Sequence, residues 1–440
     1  MLLSAVATFL TVRAHQPPLQ PGLQPPNAAH DVDCTAHGLQ RRDENLPRLI
    51  EGFLFNNEWA LLQLHLAEHN DTVDQFVLVE AARTHRGDPK PLHFERERRR
   101  VQPYLSKITH VPVRHFPFNC SEQAASETTK WGCENFQRNA ILWGLREASD
   151  EDVLLLGDVD EIVNRKSLQV LKYCGIPLDR PVFFNLQLNF YSFRFFKANF
   201  SWPHPEAWPI RLLSHSWGVG SSSLAQLRAL RYDEAGSSRL NPTVIGNKAF
   251  PAGWHCTYFG GVEKMLLKRR SIVDGVGAAS NERALLEEAV RTGESIFPGS
   301  EIYAGKFAEA DLDKDAGEEL PWLVRASPAW AAGHGLLGGE SSPEEEGHAD
   351  PPPKSPAFQL QQLASLSSLQ HLEHLERLLR PSCGGGGEPC GSRQQVTGRA
   401  VAGQDGAGGD SPLEHLRHLS HLRHLRHLEA LAGGGGACSP

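Results

Sequence analysis

The chain has 440 residues and carries a formal net charge of −8 at pH 7, with a sequence pI of about 6.2. Because an acidic chain lacks the basic face that displaces counterions from phosphates, we expect no nucleic-acid partner. Residues 47–325 mix apolar, aromatic and charged residues in proportions that suit one α/β domain with a sizeable core.

Residues 1–46 are predicted to form a short apolar N-terminus followed by a stem. The apolar stretch Met1 to Val12 is shorter than the roughly 20 residues that span a bilayer, and no basic residues precede it. It resembles a weak signal peptide or a clipped membrane anchor, with a disordered end as the alternative. Residues 16–29 are rich in Pro and Gln, which is typical of a linker.

Strand and helix patterns alternate after the stem. In chain order we predict a helix at Asn57–His69, strands at Phe76–Val79 and Ile108–Val113, a helix at Glu134–Leu145, a strand at Val153–Leu156, a helix at Ser167–Tyr173, a strand or hairpin at Val182–Phe193, a strand at Trp254–Phe259 and a helix at Val262–Ser271. This alternation favours an α/β fold with a doubly wound, mainly parallel sheet flanked by helices.

The apolar run Val153–Leu156 leads into three acidic residues, Asp158, Asp160 and Glu161. If the strand continues, Asp158 and Asp160 project to the same side, about 7 Å apart. Ligands of open α/β sheets bind beyond the carboxyl ends of the strands, and paired carboxylates suit a hard divalent cation. The alternative is that these acids only cap the next helix.

Residues 326–440 have a different composition, with Gly runs at 384–387 and 433–436 and a His-Leu repeat from His415 to Leu428. A period of three drifts by about 60° per step around a 3.6-residue helix, so no apolar face forms. We expect a disordered, low-complexity C-terminal tail.

Eight cysteines are present, and their spacing matches no Cys-X-X-Cys zinc pattern. In a secretory protein some would pair as disulfides, and in a cytosolic protein they would be buried thiols. Five lie in or near the domain, so at least one of these stays free or pairs with the tail.

The chain lacks two common nucleotide-binding signatures. Neither a P-loop sequence nor Gly-X-Gly-X-X-Gly follows the first predicted strand, which argues against nucleotide hydrolysis and NAD chemistry. A metal-dependent sugar-nucleotide site needs neither sequence, because a divalent cation stabilises the departing diphosphate.

A set of short motifs, in this order, resembles those of a known family. The motifs are Phe53-Leu54-Phe55-Asn56-Asn57-Glu58, Val79-Glu80-Ala81, Gly87-Asp88-Pro89-Lys90-Pro91-Leu92, Glu134-Asn135-Phe136-Gln137-Arg138-Asn139, Gly157-Asp158-Val159-Asp160-Glu161-Ile162 and Ala252-Gly253-Trp254-His255-Cys256. Over about residues 50–300 the chain resembles glycosyltransferase family 17. It departs from the family at Val163, where Pro is usual, and at Gly157, where an acid is usual.

The resemblance implies a GT-A-like fold and inverting transfer of N-acetylglucosamine from UDP-N-acetylglucosamine, assisted by Mn²⁺ or another divalent cation. The implied acceptor is a mannose of a protein N-glycan, and the expected product has a bisecting β-1,4 linkage. The resemblance also implies a Golgi membrane protein of type II topology with a lumenal catalytic domain.

Asp158, Asp160 and His255 are the candidate metal ligands, and Glu161 is expected to orient them. His255 could instead be a packed core residue. The remaining candidate contacts with the donor are Glu80, Arg138 and Asn139, with Asp158 shared between the two roles, and Lys90 and Lys268 are weaker candidates for the diphosphate.

Two of these donor contacts have an alternative. Glu80 would contact the uridine or cap a turn. Arg138 would pair with the diphosphate, hold Asp158 in place or form a surface ion pair.

Inversion requires a carboxylate that removes the proton of the acceptor hydroxyl. Glu206 and Glu263 are the candidates, because each lies near aromatic residues that could stack on a sugar. The sequence does not choose between them.

Two other functions are compatible with the acidic motif. A phosphatase of the haloacid dehalogenase type also places Asp-X-Asp after an apolar strand and uses the first Asp as a nucleophile. Here about 110 residues of α/β sequence precede the motif, whereas it normally opens such a domain. The other alternative is a glycan-binding protein without catalytic activity.

Overall fold

The computed structural model describes residues 32–126, 128–177, 179–214, 224–232, 238–273, 282–297, 299–300, 302–312 and 320–338. The apolar stretch Met1 to Val12, the stem at 16–29 and the His-Leu repeats lie outside these residues. Within the described ranges, no helix combines the length and the apolarity that a membrane crossing requires.

The described strands are β1 (Leu49–Leu54), β2 (Gln75–Ala81), β3 (Ile108–Val113), β4 (Val153–Leu156), β5 (Glu161–Val163), β6 (Val182–Phe184), β7 (Gln187–Phe190), β8 (Phe195–Phe196), β9 (Glu206–Pro209), β10 (Thr243–Ile245), β11 (Gly253–Thr257) and β12 (Ala308–Glu309). They form a seven-stranded sheet in the order β10-β6-β9-β4-β1-β2-β3 and a five-stranded sheet in the order β12-β8-β7-β11-β5.

The described α-helices are α1 (Trp59–His69), α2 (His93–Glu97), α3 (Cys120–Ala124), α4 (Gly132–Asn139), α5 (Arg165–Tyr173), α6 (Ile210–Ser214), α7 (Leu224–Ala229), α8 (Gly261–Ser271), α9 (Glu282–Thr292), α10 (Trp322–Ala326) and α11 (Pro328–Gly333). The helix predicted at Glu134–Leu145 is split into α4 and a 3-10 helix at Ala140–Gly144.

The larger sheet is mainly parallel, as the sequence predicts. Strand β1 is an interior strand of this sheet and pairs in parallel with β2 on one side and with β4 on the other. Strand β9 runs antiparallel next to β4. The carboxyl ends of β1, β2 and β4 therefore meet at one edge of the sheet, where an α/β fold binds its ligands.

Strand β1 alternates its side chains between two apolar layers. Leu49 and Phe53 belong to the core on the side of α1, whereas Ile50 and Leu54 belong to the core on the opposite face. The sequence patterns do not predict this strand, because Glu51 interrupts its apolar run. Glu51 is nevertheless only 2% exposed, since two histidines of α1 bind its carboxylate.

The smaller sheet brings the two halves of the site together. Strand β11 pairs in parallel with β7 and antiparallel with β5, and His255 is opposite Glu161 in that pairing. The backbone N–H of Cys256 also donates to the carbonyl of Asp160 at 2.7 Å. The sequence predicts β11 as a strand but gives no sign of this second sheet.

Two disulfides join described cysteines, Cys34 to Cys174 and Cys120 to Cys133, and Cys256 is a buried free thiol. The packed region also continues past residue 325, where the sequence predicts the tail to begin. Helix α11 buries Trp330, and Leu336 after it is fully buried against the same apolar cluster.

Candidate active site

A cavity of about 450 Å³ opens at the carboxyl edge of the larger sheet. Its walls come from segments that follow β1, β2 and β4, together with β11, α4 and α8. A cavity of this size suits a drug-sized ligand. Of the residues predicted for the site, it is lined by Lys90, Arg138, Asp158, Asp160, Glu161, His255 and Lys268.

The acidic residues leave β4 in a turn and do not extend the strand as predicted. The backbone N–H of Asp158 donates to Oε2 of Glu161 at 2.9 Å, and the N–H of Glu161 donates to the carbonyl of Asp158 at 2.9 Å. These two bonds close the turn. Asp158 and Asp160 consequently both line the cavity, although they do not alternate along a strand.

Two guanidinium groups hold the carboxylate of Asp158. Arg138 donates to Oδ1 at 2.8 Å, and Arg228 donates to Oδ2 at 3.1 Å. Burial raises the pKa of Asp158, but Arg138 and Arg228 outweigh burial and hold this pKa well below its usual value. Both oxygens of Asp158 are therefore already in hydrogen bonds to cationic groups.

Glu161 has a structural role next to Asp158. Its Oε1 accepts from Arg228 at 2.5 Å and from Nε1 of Trp202 at 2.7 Å, and its side chain is 1% exposed. With Oε2 bound to the N–H of Asp158, every oxygen of this carboxylate is used. Glu161 thus positions Asp158 and Trp202, which agrees with the orienting role predicted from the sequence.

Asp160 and His255 face each other across a gap. Nε2 of His255 lies 3.8 Å from Oδ2 of Asp160, which is too long for a hydrogen bond. Burial lowers the pKa of His255 to about 4, so its imidazole is neutral near pH 7. Nζ of Lys268 donates to the same Oδ2 at 2.6 Å, and it overcomes the effect of burial to hold the pKa of Asp160 low.

This donor set fits a divalent cation. A neutral imidazole nitrogen and an ionised carboxylate oxygen, separated by more than a hydrogen bond, are ligands that Mn²⁺ accepts. Because the ammonium group of Lys268 occupies Oδ2 of Asp160, the cation would have to displace it from that oxygen. Of the three predicted ligands, Asp160 and His255 are available in this arrangement, whereas Asp158 is engaged by its arginines.

Glu80 and Asn139 do not line the cavity. Glu80 is fully buried, accepts the backbone N–H groups of Phe94 and Glu95 at 2.9 Å, and binds His110 at 2.8 Å. It therefore caps α2, in line with the alternative that Glu80 caps a turn. Oδ1 of Asn139 accepts the N–H of Ala225 at 3.3 Å and so connects α4 to α7.

Neither predicted catalytic base lines the cavity. Glu206 is fully buried on β9, where it binds Nδ1 of His204, and its Oε2 lies 3.9 Å from Nη1 of Arg228. Burial raises the pKa of Glu206 to about 8. Glu263 points into solvent from the first turn of α8, has a 73% exposed side chain and pairs with Arg283.

Two residues that matter here, Arg228 and Glu58, are not among those predicted from the sequence, whereas Lys90 is. Arg228 bridges Asp158 and Glu161 from a short helix that is distant in sequence. Glu58 lines the cavity, and only its Oε2 is used, by the N–H groups of Asn56 and Asn57 at 2.9 and 3.0 Å. Nζ of Lys90 is buried and has no hydrogen-bond partner among the described residues.

Aromatic rings form one wall of the cavity. Trp202 stacks on His255 with ring centroids 4.2 Å apart, and Tyr303 stacks on the indole at 6.3 Å. Tyr258 also lines this side, with Nζ of Lys268 5.5 Å from the centre of its ring. Flat aromatic faces beside acidic groups are suited to a sugar ring.

Comparisons with known proteins show which family and which enzymes the chain is similar to. Residues 21–207 match the model of glycosyltransferase family 17. The β-1,4-mannosyl-glycoprotein 4-β-N-acetylglucosaminyltransferase of Rattus norvegicus is 25% identical over 328 residues, which are 67% of this chain and 59% of that protein. The Homo sapiens enzyme of the same name is 24% identical over 273 residues, 58% of this chain and 50% of that protein.

The chain thus spans between half and three fifths of the length of these relatives. Among solved structures, a mannosyltransferase from Pyrobaculum calidifontis in complex with GDP-Man and Mn²⁺ covers 78% of this chain and 86% of its own, at 14% identity and a TM-score of 0.31. That overlap is too loose to support a conclusion about ligands. The family match and the named relatives agree with each other, and residues 21–207 of the chain are similar to glycosyltransferase family 17.

Proposed function

We propose that the chain transfers N-acetylglucosamine from UDP-N-acetylglucosamine to a mannose of a protein N-glycan, with inversion and with Mn²⁺ or a similar cation. The observation that carries this proposal is the pair Asp160 and His255, a carboxylate and a neutral imidazole 3.8 Å apart in a cavity at the carboxyl edge of the sheet. The names of the relatives support the sugar and the acceptor.

Asp160 and His255 would hold the cation, which neutralises charge on the departing diphosphate. Lys90, which also lines the cavity, supports the same role. Its ammonium group is buried without a partner, and burial lowers its pKa, so an anionic ligand would satisfy both its charge and its hydrogen bonds. Asp158, kept ionised by Arg138 and Arg228, would accept hydrogen bonds from hydroxyl groups of the donor.

The base that deprotonates the acceptor must reach the cavity and must have a free oxygen. Among the described carboxylates that line the cavity, Glu134, Asp158 and Glu161 have both oxygens in hydrogen bonds or ion pairs. Asp160 is assigned to the cation. We therefore assign the base to Glu58, whose Oε1 has no hydrogen-bond partner among the described residues.

The phosphatase alternative requires Asp158 to act as a nucleophile. Two guanidinium groups bind its oxygens, and a carboxylate stabilised in this way is a weak nucleophile. The alternative of a glycan-binding protein without activity leaves the neutral imidazole of His255 and the unpartnered Lys90 without a role. Both observations favour the transferase.

A Golgi membrane location with the catalytic domain in the lumen is part of the proposal. Two disulfides among the described residues suit the oxidising lumen of the secretory pathway. Trypsin protection of the epitope-tagged chain in intact Golgi vesicles tests this point, and cleavage without detergent would contradict it.

A donor screen tests the activity. The full chain is incubated with a biantennary N-glycan and, separately, UDP-N-acetylglucosamine, UDP-galactose, UDP-glucose or GDP-mannose, with Mn²⁺ or with EDTA. The expected result is addition of one N-acetylhexosamine, seen by mass spectrometry, only with UDP-N-acetylglucosamine and Mn²⁺. Transfer from another donor, or equal transfer in EDTA, would contradict the proposal.

A further inference from the structure

A second group of potential metal ligands lies on strand β1 and helix α1. We propose that Glu51, His65 and His69 form a buried, structural site for a transition metal such as Zn²⁺. The site does not depend on the proposed activity, and none of its residues lines the cavity.

The ligand atoms converge on one point. Nε2 of His65 lies 2.9 Å from Oε1 of Glu51, and Nδ1 of His69 lies 2.8 Å from Oε2. The ligand atoms lie within 4.8 Å of one another. The three residues are 2%, 1% and 0% exposed for Glu51, His65 and His69. The histidines are four residues apart on α1, which puts both rings on the same face of the helix.

In each histidine ring, the nitrogen that faces away from Glu51, here called the outer nitrogen, already has a hydrogen-bond partner. Nδ1 of His65 lies 2.9 Å from the carbonyl oxygen of Val159, and Nε2 of His69 lies 2.8 Å from that of Val163. A carbonyl oxygen only accepts, so both outer nitrogens must carry a hydrogen. A neutral ring therefore turns the lone pair of its inner nitrogen towards Glu51. Metal-binding histidines are oriented by carbonyl partners in this way.

Counting protons favours a metal over hydrogen bonds alone. If Glu51 is ionised, hydrogen bonds at both inner nitrogens require two imidazolium ions, with ring centroids 4.3 Å apart and no contact with solvent. Two like charges buried side by side are costly. If both rings are neutral and Glu51 is ionised, their lone pairs face the carboxylate oxygens and repel them. A protonated Glu51 can donate to only one ring, so the other ring must still be a buried imidazolium or turn its lone pair towards an oxygen.

A divalent cation that replaces the two protons on the inner nitrogens, which face Glu51, removes this conflict. The total charge of the group stays the same, both rings become neutral, and every lone pair has a partner. Two imidazole nitrogens and the two oxygens of Glu51 supply four donor atoms, the number that a structural Zn²⁺ site uses. The ion would connect β1 to α1 and, through the carbonyls of Val159 and Val163, to the turn that carries Asp160 and to the end of β5.

The test must separate this site from two other sources of metal binding. The full chain is prepared with Asn in place of the histidines of the tail repeats, namely His371, His374, His415, His418, His421, His424 and His427. Asp160→Ala is added to remove the cavity site. After dialysis against a weak chelator, zinc per chain is measured by mass spectrometry, and folding is checked by circular dichroism.

The expected content is about one zinc per folded chain, falling to less than about a tenth when His69→Asn or Glu51→Gln is added. His110→Asn is the matched control, because His110 binds a single buried carboxylate, that of Glu80, and should leave zinc unchanged. If the folded Asp160→Ala chain contains less than about a tenth of a zinc ion per chain, the proposal is overturned. This outcome does not depend on whether the His69→Asn and Glu51→Gln variants fold. Zinc retained in folded His69→Asn overturns it equally.

Discussion

The ammonium group of Lys268 lies 2.6 Å from Oδ2 of Asp160, on the oxygen that the proposed cation would bind. The lysine and the cation therefore compete for one carboxylate. Asp160 overcomes the effect of burial and raises the pKa of Lys268, so the competing group is charged near neutral pH. A metal ion must displace this hydrogen bond before it can bind.

Replacing Lys268 by Met should tighten Mn²⁺ binding, because the competitor for Asp160 is removed. We expect a roughly tenfold lower dissociation constant, which corresponds to a free energy of Mn²⁺ binding that is about 1.4 kcal/mol more favourable. Titration of the chain with Mn²⁺, with free Mn²⁺ read by electron paramagnetic resonance, measures this. Arg270→Met on the exposed face of the same helix is the control. Unchanged or weaker Mn²⁺ binding by Lys268→Met would contradict the competition.

Glu58→Gln should lower kcat by about 10² to 10⁴ while leaving the affinity for UDP-N-acetylglucosamine unchanged, since a base acts only on the acceptor. Kinetics with varied acceptor, together with calorimetric titration of the donor, separate the two quantities. Glu263→Gln serves as the control, because that side chain is in solvent. If Glu58→Gln instead weakens donor binding and spares kcat, Glu58 is a donor contact and the base lies elsewhere.

Arg228→Met should destabilise the fold by about 3 to 5 kcal/mol, the usual cost of breaking a buried ion pair. The change leaves Glu161, 1% exposed, without its guanidinium partner. Urea unfolding followed by circular dichroism measures the free energy of unfolding. Arg228→Lys restores the charge but not the planar fork, so it should fall between the wild type and Arg228→Met. Equal free energies of unfolding for Arg228→Met and wild type would show that the ion pair between Arg228 and Glu161 does not stabilise the fold.

The pKa of Glu206, raised by burial from 4.5 to about 8, predicts how stability depends on pH. The folded chain keeps a proton that the unfolded chain loses between these values, so the contribution of Glu206 to stability falls as pH rises through that window. Glu206→Gln has no carboxyl group to titrate at this position, so this decrease of stability with pH is absent.

Urea unfolding at the two ends of the window tests this dependence. We expect the free energy of unfolding to fall more steeply with pH in the wild type than in Glu206→Gln. Parallel pH profiles for the two proteins would mean that Glu206 titrates normally. Glu263→Gln should track the wild type, because Glu263 is exposed.

The sequence predicted the elements whose pattern is local. The run Val153–Leu156 is uninterrupted and buried, so both the strand and the acids after it could be identified. Strand β1 could not, because Glu51 looks unfit for an interior strand until His65 and His69 are seen to bind it. Its burial depends on a helix that forms later in the chain.

The site was predictable where it depends on motifs and not where it depends on side-chain direction. Glu263 and Lys268 share α8, but five residues rotate a helix by about 140°, so Lys268 faces the cavity while Glu263 faces solvent. Arg228 lies 70 residues from Asp158 in sequence, and no spacing rule connects them. Such contacts are determined only by tertiary packing.

The most direct test of the central claim compares wild type and Asp160→Asn in Mn²⁺-dependent transfer of N-acetylglucosamine to an N-glycan. Asn keeps the size of the side chain but removes the charge that binds the cation. We expect Asp160→Asn to stay folded and to lose at least about 10²-fold in turnover. Wild-type turnover by folded Asp160→Asn would contradict it.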